Sequence, residues 1–329
     1  MALRPAERFT VEDPSQVAPA RRAAERLAQS VGFDATDIGR AAIVTTELAA
    51  NLLRHAGGGE IVLRVDKDRL DVLAWDRGPG IDDLAKSMRD GFSTAGGSGT
   101  GLGAVQRLAD GFDVHSVPGR GAIVLARLGP GGDATPLVDG LALALGGDEA
   151  SGDAWASVTE GAATTVLLVD GLGHGLEASR AAAAAIAELR AGIAPEALLD
   201  RMHGAMRATR GAAAAIARIE PGGRLRFAGV GNISAAIVHG TTAKSLASMN
   251  GTLGHRVTRI QGYEHELPAG AALVMHSDGC QTSWDLSAYP GILRRDPLVV
   301  ASVLIRDFER GRDDVSAVIA RAPDEIDAA

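Results

Sequence analysis

Glu47 and Asn51 stand four residues apart in a run, Thr36 to His55, whose residues Ile38, Ala41, Val44, Leu48 and Leu52 recur at helical spacing. Two residues so spaced share one helix face, so a carboxylate and an amide project together beside the apolar stripe. The carboxylate could accept a proton from an attacking hydroxyl, and the amide carbonyl could ligate Mg²⁺. Asp76 ends a hydrophobic strand just before Gly78 and Gly80. There it could accept a hydrogen bond from an adenine amino group while the glycines let the base approach. Gly99, Gly101 and Gly103 precede or open a further helix. The free N–H groups of such a helix start suit a polyphosphate.

The second half of the chain carries a different set. Asp153 sits in SGDAW, Asp170 ends TTVLLVD before GLGHG, Asp278 ends ALVMHSD before Gly279, and Asp313 and Asp314 precede VSAVIA. Holding two divalent cations for hydrolysis takes several carboxylates converging from different segments, because each hard ion wants oxygen ligands and open positions for water. Any one of these aspartates also fits a turn or cap. Four segments that each abut glycine or another aspartate, beside apolar strands, favour a cation site. Cys280 lies next to this set, but no arginine follows it in a CxxxxxR loop, so it reads as a small packing residue. His174 in GLGHG reads as a helix-entry or hydrogen-bonding residue rather than a ligand.

These residues need elements to hold them. Arg21–Ser30 reads as a short helix, and glycines Gly57–Gly59 end the helix that carries Glu47 and Asn51. Glu60–Asp66 and Leu70–Asp76 form one expected hairpin, Phe112–Val117 and Ala122–Leu128 another around PGRG, with a helix at about Leu102–Ala109 before it. The connector GPGGDATP, residues 129–136, marks a domain boundary, leaving 1–128, 137–322 and a tail of 323–329. Beyond it the expected strands are Leu137–Leu145, Ala154–Thr159, Thr164–Asp170, Ala212–Ile219, Leu225–Val230, Ala235–His239, Ala271–Ser277 and Val315–Ala320. Two helices, Leu176–Arg190 and Pro195–Thr209, directly follow the turn after Asp170, so shifting them could alter metal occupancy. Both halves read as α+β, with helices on mainly antiparallel sheets.

Composition narrows the functions. The 329 residues suit two domains. Aromatics make up 3%, and the formal net charge is −8 without a basic run, so a nucleic-acid or anionic-membrane surface lacks its footprint. The acid excess is uneven: residues 1–128 hold 16 basic and 17 acidic side chains, residues 129–329 hold 17 and 24. One cysteine excludes an intramolecular disulfide. With no apolar segment of membrane-spanning length and no signal peptide, a cytoplasmic protein is expected. The lysines Lys67, Lys86 and Lys244 fit neither a P-loop nor the strand lysine of eukaryotic-type kinases, and GSGTGLG does not follow a first strand as a Rossmann fingerprint would.

In this order, ELAANLLRHA, DRGPGI and GTGLGAVQRLAD resemble the N, G1 and G2 boxes of the GHKL (Bergerat-type) ATPase superfamily, and within it the anti-sigma-factor serine kinases of the RsbT/RsbW type. The resemblance spans about residues 10–128. It implies ATP with Mg²⁺ as cofactors, Glu47 as general base, Asn51 as Mg²⁺ ligand, Asp76 as adenine contact, and Gly78, Gly80, Gly99, Gly101 and Gly103 lining the pocket. No phospho-accepting histidine helix precedes the domain, which disfavours a sensor histidine kinase. SGDAW, VDGLGHG, AGVGN, GTLG, SDG and RDDVS, across about 137–322, resemble the metal-dependent serine/threonine phosphatases of the SpoIIE/RsbX type. That resemblance implies Asp153, Asp170, Asp278 and Asp313 as ligands of Mn²⁺ or Mg²⁺, with a backbone carbonyl from Gly171 and Asp314 as an adjoining candidate.

The fold expected from both resemblances is α+β in two domains: an N-terminal Bergerat-type ATP-binding α/β sandwich and a C-terminal phosphatase α-β-β-α sandwich. The implied function is a bacterial partner-switching regulator that joins a serine/threonine kinase-like domain to a phosphatase acting on a STAS-domain antagonist or related phosphoprotein. A sigma factor, a stressosome-like assembly and a second copy of the chain are the further partners considered. The alternatives are a phosphatase governed by a non-catalytic ATP sensor, and a protein that sequesters a sigma factor or antagonist.

Overall fold

Alternation sets the first domain. In the computed structural model, which describes residues 6–88, 101–147 and 150–321, the chain divides into two compact units, Ala6–Thr135 and the residues from Pro136 on. The first contains β1 (Glu7–Val11), α1 (Val17–Ser30), α2 (Ala35–Asn51), β2 (Gly59–Asp66), β3 (Arg69–Trp75), α3 (Leu84–Ser87), α4 (Gly101–Leu108), β4 (Gly111–Ser116) and β5 (Ala122–Leu128). The strands pair antiparallel in the order β1-β2-β3-β5-β4. Ile61, Leu63, Leu70, Val72, Ala74, Val124, Ala126 and Leu128 share the face against α1, α2 and α4, where they form one core with Ala24, Leu27, Val44 and Leu48. The opposite face carries Val62, Leu73, Trp75, Ile123 and Leu125, all buried, and Asp71 with Arg64, Arg69 and Arg127 around it.

The second unit contains β6 (Val138–Leu143), β7 (Asp153–Glu160), β8 (Ala163–Gly171), α5 (Leu176–Ala187), α6 (Pro195–Ala205), β9 (Ala212–Ile219), β10 (Arg224–Val230), β11 (Ser234–His239), β12 (Thr242–Leu246), β13 (Gly251–Thr252), β14 (Arg256–Val257), β15 (Tyr263–Glu266), β16 (Ala272–His276), α7 (Pro297–Phe308) and β17 (Val315–Arg321). Two five-stranded antiparallel sheets, β15-β10-β9-β8-β7 and β12-β11-β16-β17-β6, enclose a core of Val166, Leu168, Phe227, Ile237, Leu273, Met275 and Val318. The outer face of the first sheet packs on α5 and α6 through Ala181, Ala185, Leu198 and Met202, and α7 packs on β17 and β6. The layers are therefore α-β-β-α. β13 and β14 pair as a small separate ribbon.

The expected helices, hairpins and strands are present with ends moved by a few residues. Helices α3 and α7, strand β1 and strands β12 to β15 are additional to the expected set. Among the described residues no helix is long and apolar enough to cross a membrane.

Candidate functional sites

Each unit gathers polar residues at one place. In the first, Asp34 caps α2 by accepting from the Asp37 amide at 2.9 Å, and the helix runs to Asn51 before widening into a π turn over Leu52–Ala56 that Gly57 ends at φ +75°. Such single π turns recur at functional sites. Glu47 and Asn51 are half-buried on this helix, and among the described residues Glu47 Oε2 and Asn51 Nδ2 are buried with no hydrogen-bond partner. Buried polar atoms are ordinarily satisfied, so two orphans one helical turn apart leave places for a water, an ion or a ligand atom.

Asp76 follows β3, and its Oδ1 accepts from the Gly78 amide at 2.8 Å. The loop is held from two sides. A side chain on Gly78 would meet Ala56 at 2.8 Å, so the loop abuts the π turn that follows Asn51. Gly121 stands at φ +77°, and a Cβ there would come within 2.0 Å of the Asp76 carbonyl, so only glycine lets the PGRG turn close over this loop. Gly80, at φ +80°, packs against Val117 in the same turn. A pocket of roughly 480 Å³ opens beside Asp76, lined by Gly57, Gly58, Gly59, Glu60, Arg77 and Gly78 among others. Glu47 and Asn51 do not line it. Gly101 and Gly103 lie at the start of α4 as expected, and Gly99 lies outside the described residues.

The second unit assembles its aspartates at strand ends. Asp153 opens β7 and Asp170 lies near the end of β8, directly opposite each other in the antiparallel ladder. Like charges placed this way are destabilising unless something neutralises them. Desolvation pushes the Asp170 carboxyl far up from the ordinary range, and Asp153, Asp278, Asp313 and Asp314 push it further in the same direction. Burial also raises Asp153, against hydrogen bonds from Ser277 and Ser316 that favour its charge. Asp313, at the rim, is raised by burial and by Asp278 and Asp314. A set of carboxylates that hold one another's pKa values up is a donor set short of positive charge, which fits divalent cations.

The partners of these side chains separate their roles. Asp153 Oδ2 accepts from Ser316 Oγ at 2.8 Å, and Asp278 Oδ2 accepts from Asn232 Nδ2 at 2.6 Å. Asp170 makes no side-chain hydrogen bond or ion pair among the described residues, although it is the most strongly perturbed of the set. Asp314 is occupied: Oδ1 accepts from the Leu145 amide at 2.7 Å and Oδ2 from the Gly152 amide at 2.6 Å. Gly171, Gly152 and Gly279 fill places with no room for a Cβ. At Gly279 it would stand 2.0 Å from the Asp314 carbonyl. Among the described residues no three His, Cys, Asp or Glu side chains form a ready-made cage. Ser316, Ser277 and the Leu145 amide were not foreseen from sequence, although the serines stand beside the motifs in SDG and DDVS. Cys280 is fully buried, its Sγ 3.7 Å from the Leu304 carbonyl and its thiol pushed up to about 12 by burial, as suits a packing residue.

Comparison with known proteins follows this division. Residues 10–127 match the histidine kinase-like ATPase domain, and residues 160–323 match stage II sporulation protein E (SpoIIE). The serine/threonine-protein kinase RsbT of Bacillus subtilis (strain 168) is 42% identical over 98 residues, which are 29% of this chain and 74% of RsbT. Among solved structures, a chain from work on the bacterial stressosome as a modular system controlling secondary messenger signalling is 28% identical, covering 56% of this chain and 98% of that one at a TM-score of 0.49. RsbX in complex with magnesium is 20% identical, over 55% of this chain and 92% of RsbX, at a TM-score of 0.46. Through its N-terminal half the chain belongs to the family of the serine/threonine-protein kinase RsbT, with a histidine kinase-like ATPase domain over residues 10–127, and this domain is followed by a match to stage II sporulation protein E over residues 160–323.

Proposed function

We propose that the chain is a partner-switching regulator with two opposed activities. Its N-terminal domain transfers the γ-phosphoryl group of ATP to a serine or threonine of a STAS-domain antagonist or related protein. Its C-terminal domain removes phosphate from phosphoserine or phosphothreonine on such a protein, in a pathway that ends on a sigma factor or within a stressosome-like assembly. The observation that carries the phosphatase half is the opposed Asp153–Asp170 pair with Asp278 and Asp313 beside it, a donor set in which burial and neighbouring carboxylates raise Asp170, Asp153 and Asp313.

Asp153, Asp170, Asp278 and Asp313, with the Gly171 carbonyl, would hold Mn²⁺ or Mg²⁺. When bound, two such ions acidify a water for in-line attack on phosphorus. Ser316 and Ser277 aim Asp153 and favour its charged form against the burial that raises it, and Asn232 holds Asp278 through a hydrogen bond at 2.6 Å. Asp314 ties the start of β17 to the Leu145 and Gly152 amides and so fixes the floor on which Asp153 stands. In the N-terminal domain, Glu47 takes the proton of the attacking hydroxyl, Asn51 holds Mg²⁺, and Asp76 accepts from the adenine amino group. Gly78, Gly80, Gly101 and Gly103 would let the nucleotide approach the backbone around these side chains.

Two assays test this. Mn²⁺-dependent hydrolysis of p-nitrophenyl phosphate is expected from the purified chain and lost in Asp170→Asn. Label from γ-labelled ATP is expected to pass to a STAS-domain protein with wild type and not with Glu47→Ala. Hydrolysis that survives Asp170→Asn would overturn the assignment of the acidic site.

A further inference from the structure

The loop after Asp170 is covered on one side by a guanidinium that none of the carboxylates uses. Gly173 stands at φ +83°, and a Cβ there would lie 3.3 Å from Arg210 Nη1, so the guanidinium rests against the backbone of this loop. The Gly173 carbonyl would be 3.1 Å from a Cβ on Gly152, whose amide donates to Asp314 Oδ2 at 2.6 Å. Arg210 and the glycine whose amide holds Asp314 thus both abut Gly173.

Its main chain is fastened to the same loop. His255 Nε2 donates to the Arg210 carbonyl at 2.8 Å, and the Leu172 amide donates to the Gly211 carbonyl at 3.0 Å. Gly211 holds φ +78°, where a Cβ would come within 2.4 Å of the Leu253 carbonyl. The side chain itself is exposed, and among the described residues it has neither an ion pair nor a side-chain hydrogen bond. An anchored backbone that presents an uncommitted guanidinium at the lip of a carboxylate site is arranged to receive an anion.

We propose that Arg210 binds the phosphoryl group of the substrate as it enters the acidic site, an inference that rests on reading the C-terminal domain as a phosphohydrolase. A phosphate dianion approaching several carboxylates meets repulsion wherever their charge is not fully neutralised. Arginine stays charged, and its planar fork pairs two N–H groups with two phosphate oxygens. Lysine in its place would supply charge without the fork.

The test uses the full chain with Mn²⁺, p-nitrophenyl phosphate as substrate, and inorganic phosphate both as competing product and as calorimetric titrant. Arg210→Ala is expected to raise KM and the phosphate inhibition constant together, each about tenfold or more, as for loss of a charge-assisted pair. The same variant is expected to weaken calorimetric phosphate binding by the same factor while leaving kcat and half-saturating Mn²⁺ near wild type. Arg210→Lys should fall between the two, and Arg207→Ala, which removes a neighbouring exposed arginine, should match wild type. Unchanged KM and phosphate binding in Arg210→Ala, or an equal effect from Arg207→Ala, would overturn the proposal. A wild-type chain without Mn²⁺-dependent turnover would instead overturn the phosphohydrolase reading, and this inference with it.

Discussion

Asp153 and Asp170 face each other across neighbouring strands, and the energetic consequence can be measured without any substrate. Both carboxyls are raised in the folded chain relative to the unfolded one, so the native state binds protons that the unfolded state has already released. Stability contributed by this site is therefore full at low pH, below the ordinary carboxylate range, and is lost as pH rises through the raised values. His276 works in the opposite direction. Burial lowers its pKa, and it accepts from Trp284 Nε1 at 2.9 Å in the neutral form, so it loses stability as pH falls below the ordinary histidine value. The difference between wild type and Asp170→Asn isolates the aspartates. In EDTA, Asp170→Asn is expected to melt above wild type, by a margin that grows between pH 5 and 8. Added Mn²⁺ is expected to raise the wild-type melting temperature and leave the variant unmoved. Thermal melts at several pH values check this, and a variant that melts below wild type throughout would mean that Asp170 is stabilising without metal.

Among the elements, the connection between β17 and the β6–β7 segment rests on one side chain. Asp314 satisfies two amides, Leu145 and Gly152, that lie 169 and 162 residues away in sequence. Removing the carboxylate leaves both donors without it, at about 1–3 kcal/mol for each that stays buried. Asp314→Ala is expected to lower the urea midpoint by an amount equivalent to about 2–4 kcal/mol at unchanged m-value, whereas Asp313→Ala, at the rim, should move it by less than about 0.5 kcal/mol. Equal effects would contradict the division of labour between these neighbours. The same comparison shows where sequence was informative. Periodicity located α2, β2 and β3, and apolar runs bounded by turns located β8 and β9, to within a few residues, while glycine or another aspartate beside each strand-end aspartate singled those residues out. Helix α7 was not legible: every residue from Pro297 to Arg306 is buried, so it shows no polar face and hence no stripe. Strands β1, β12 and β15 lie at sheet edges, are short, and carry mixed patterns such as TAKSL and YEHE. Nor could spacing along the chain reveal that Asp314 is already committed to two distant amides, because that depends on the sheet that brings β6 beside β17.

At the scale of the whole molecule, the two proposed activities, which would undo each other, are assigned to two units, each with its own buried core. The groups that would hold ATP, namely Glu47, Asn51 and Asp76, all belong to the first unit, and the carboxylates all belong to the second. No side chain is assigned to both sites. Substitutions at positions with no shared partners combine additively to within about 0.5 kcal/mol. Asn51→Ala should therefore abolish binding of a fluorescent ATP analogue and leave Mn²⁺-dependent hydrolysis of p-nitrophenyl phosphate intact, while Asp170→Asn should do the reverse. The double variant should show both losses and a change in stability equal to that of the two single variants together. Loss of both activities from either single change, or an interaction energy above about 1 kcal/mol, would mean that nucleotide and metal occupancy are coupled. The chain would then read ATP through its phosphatase rather than run two independent reactions.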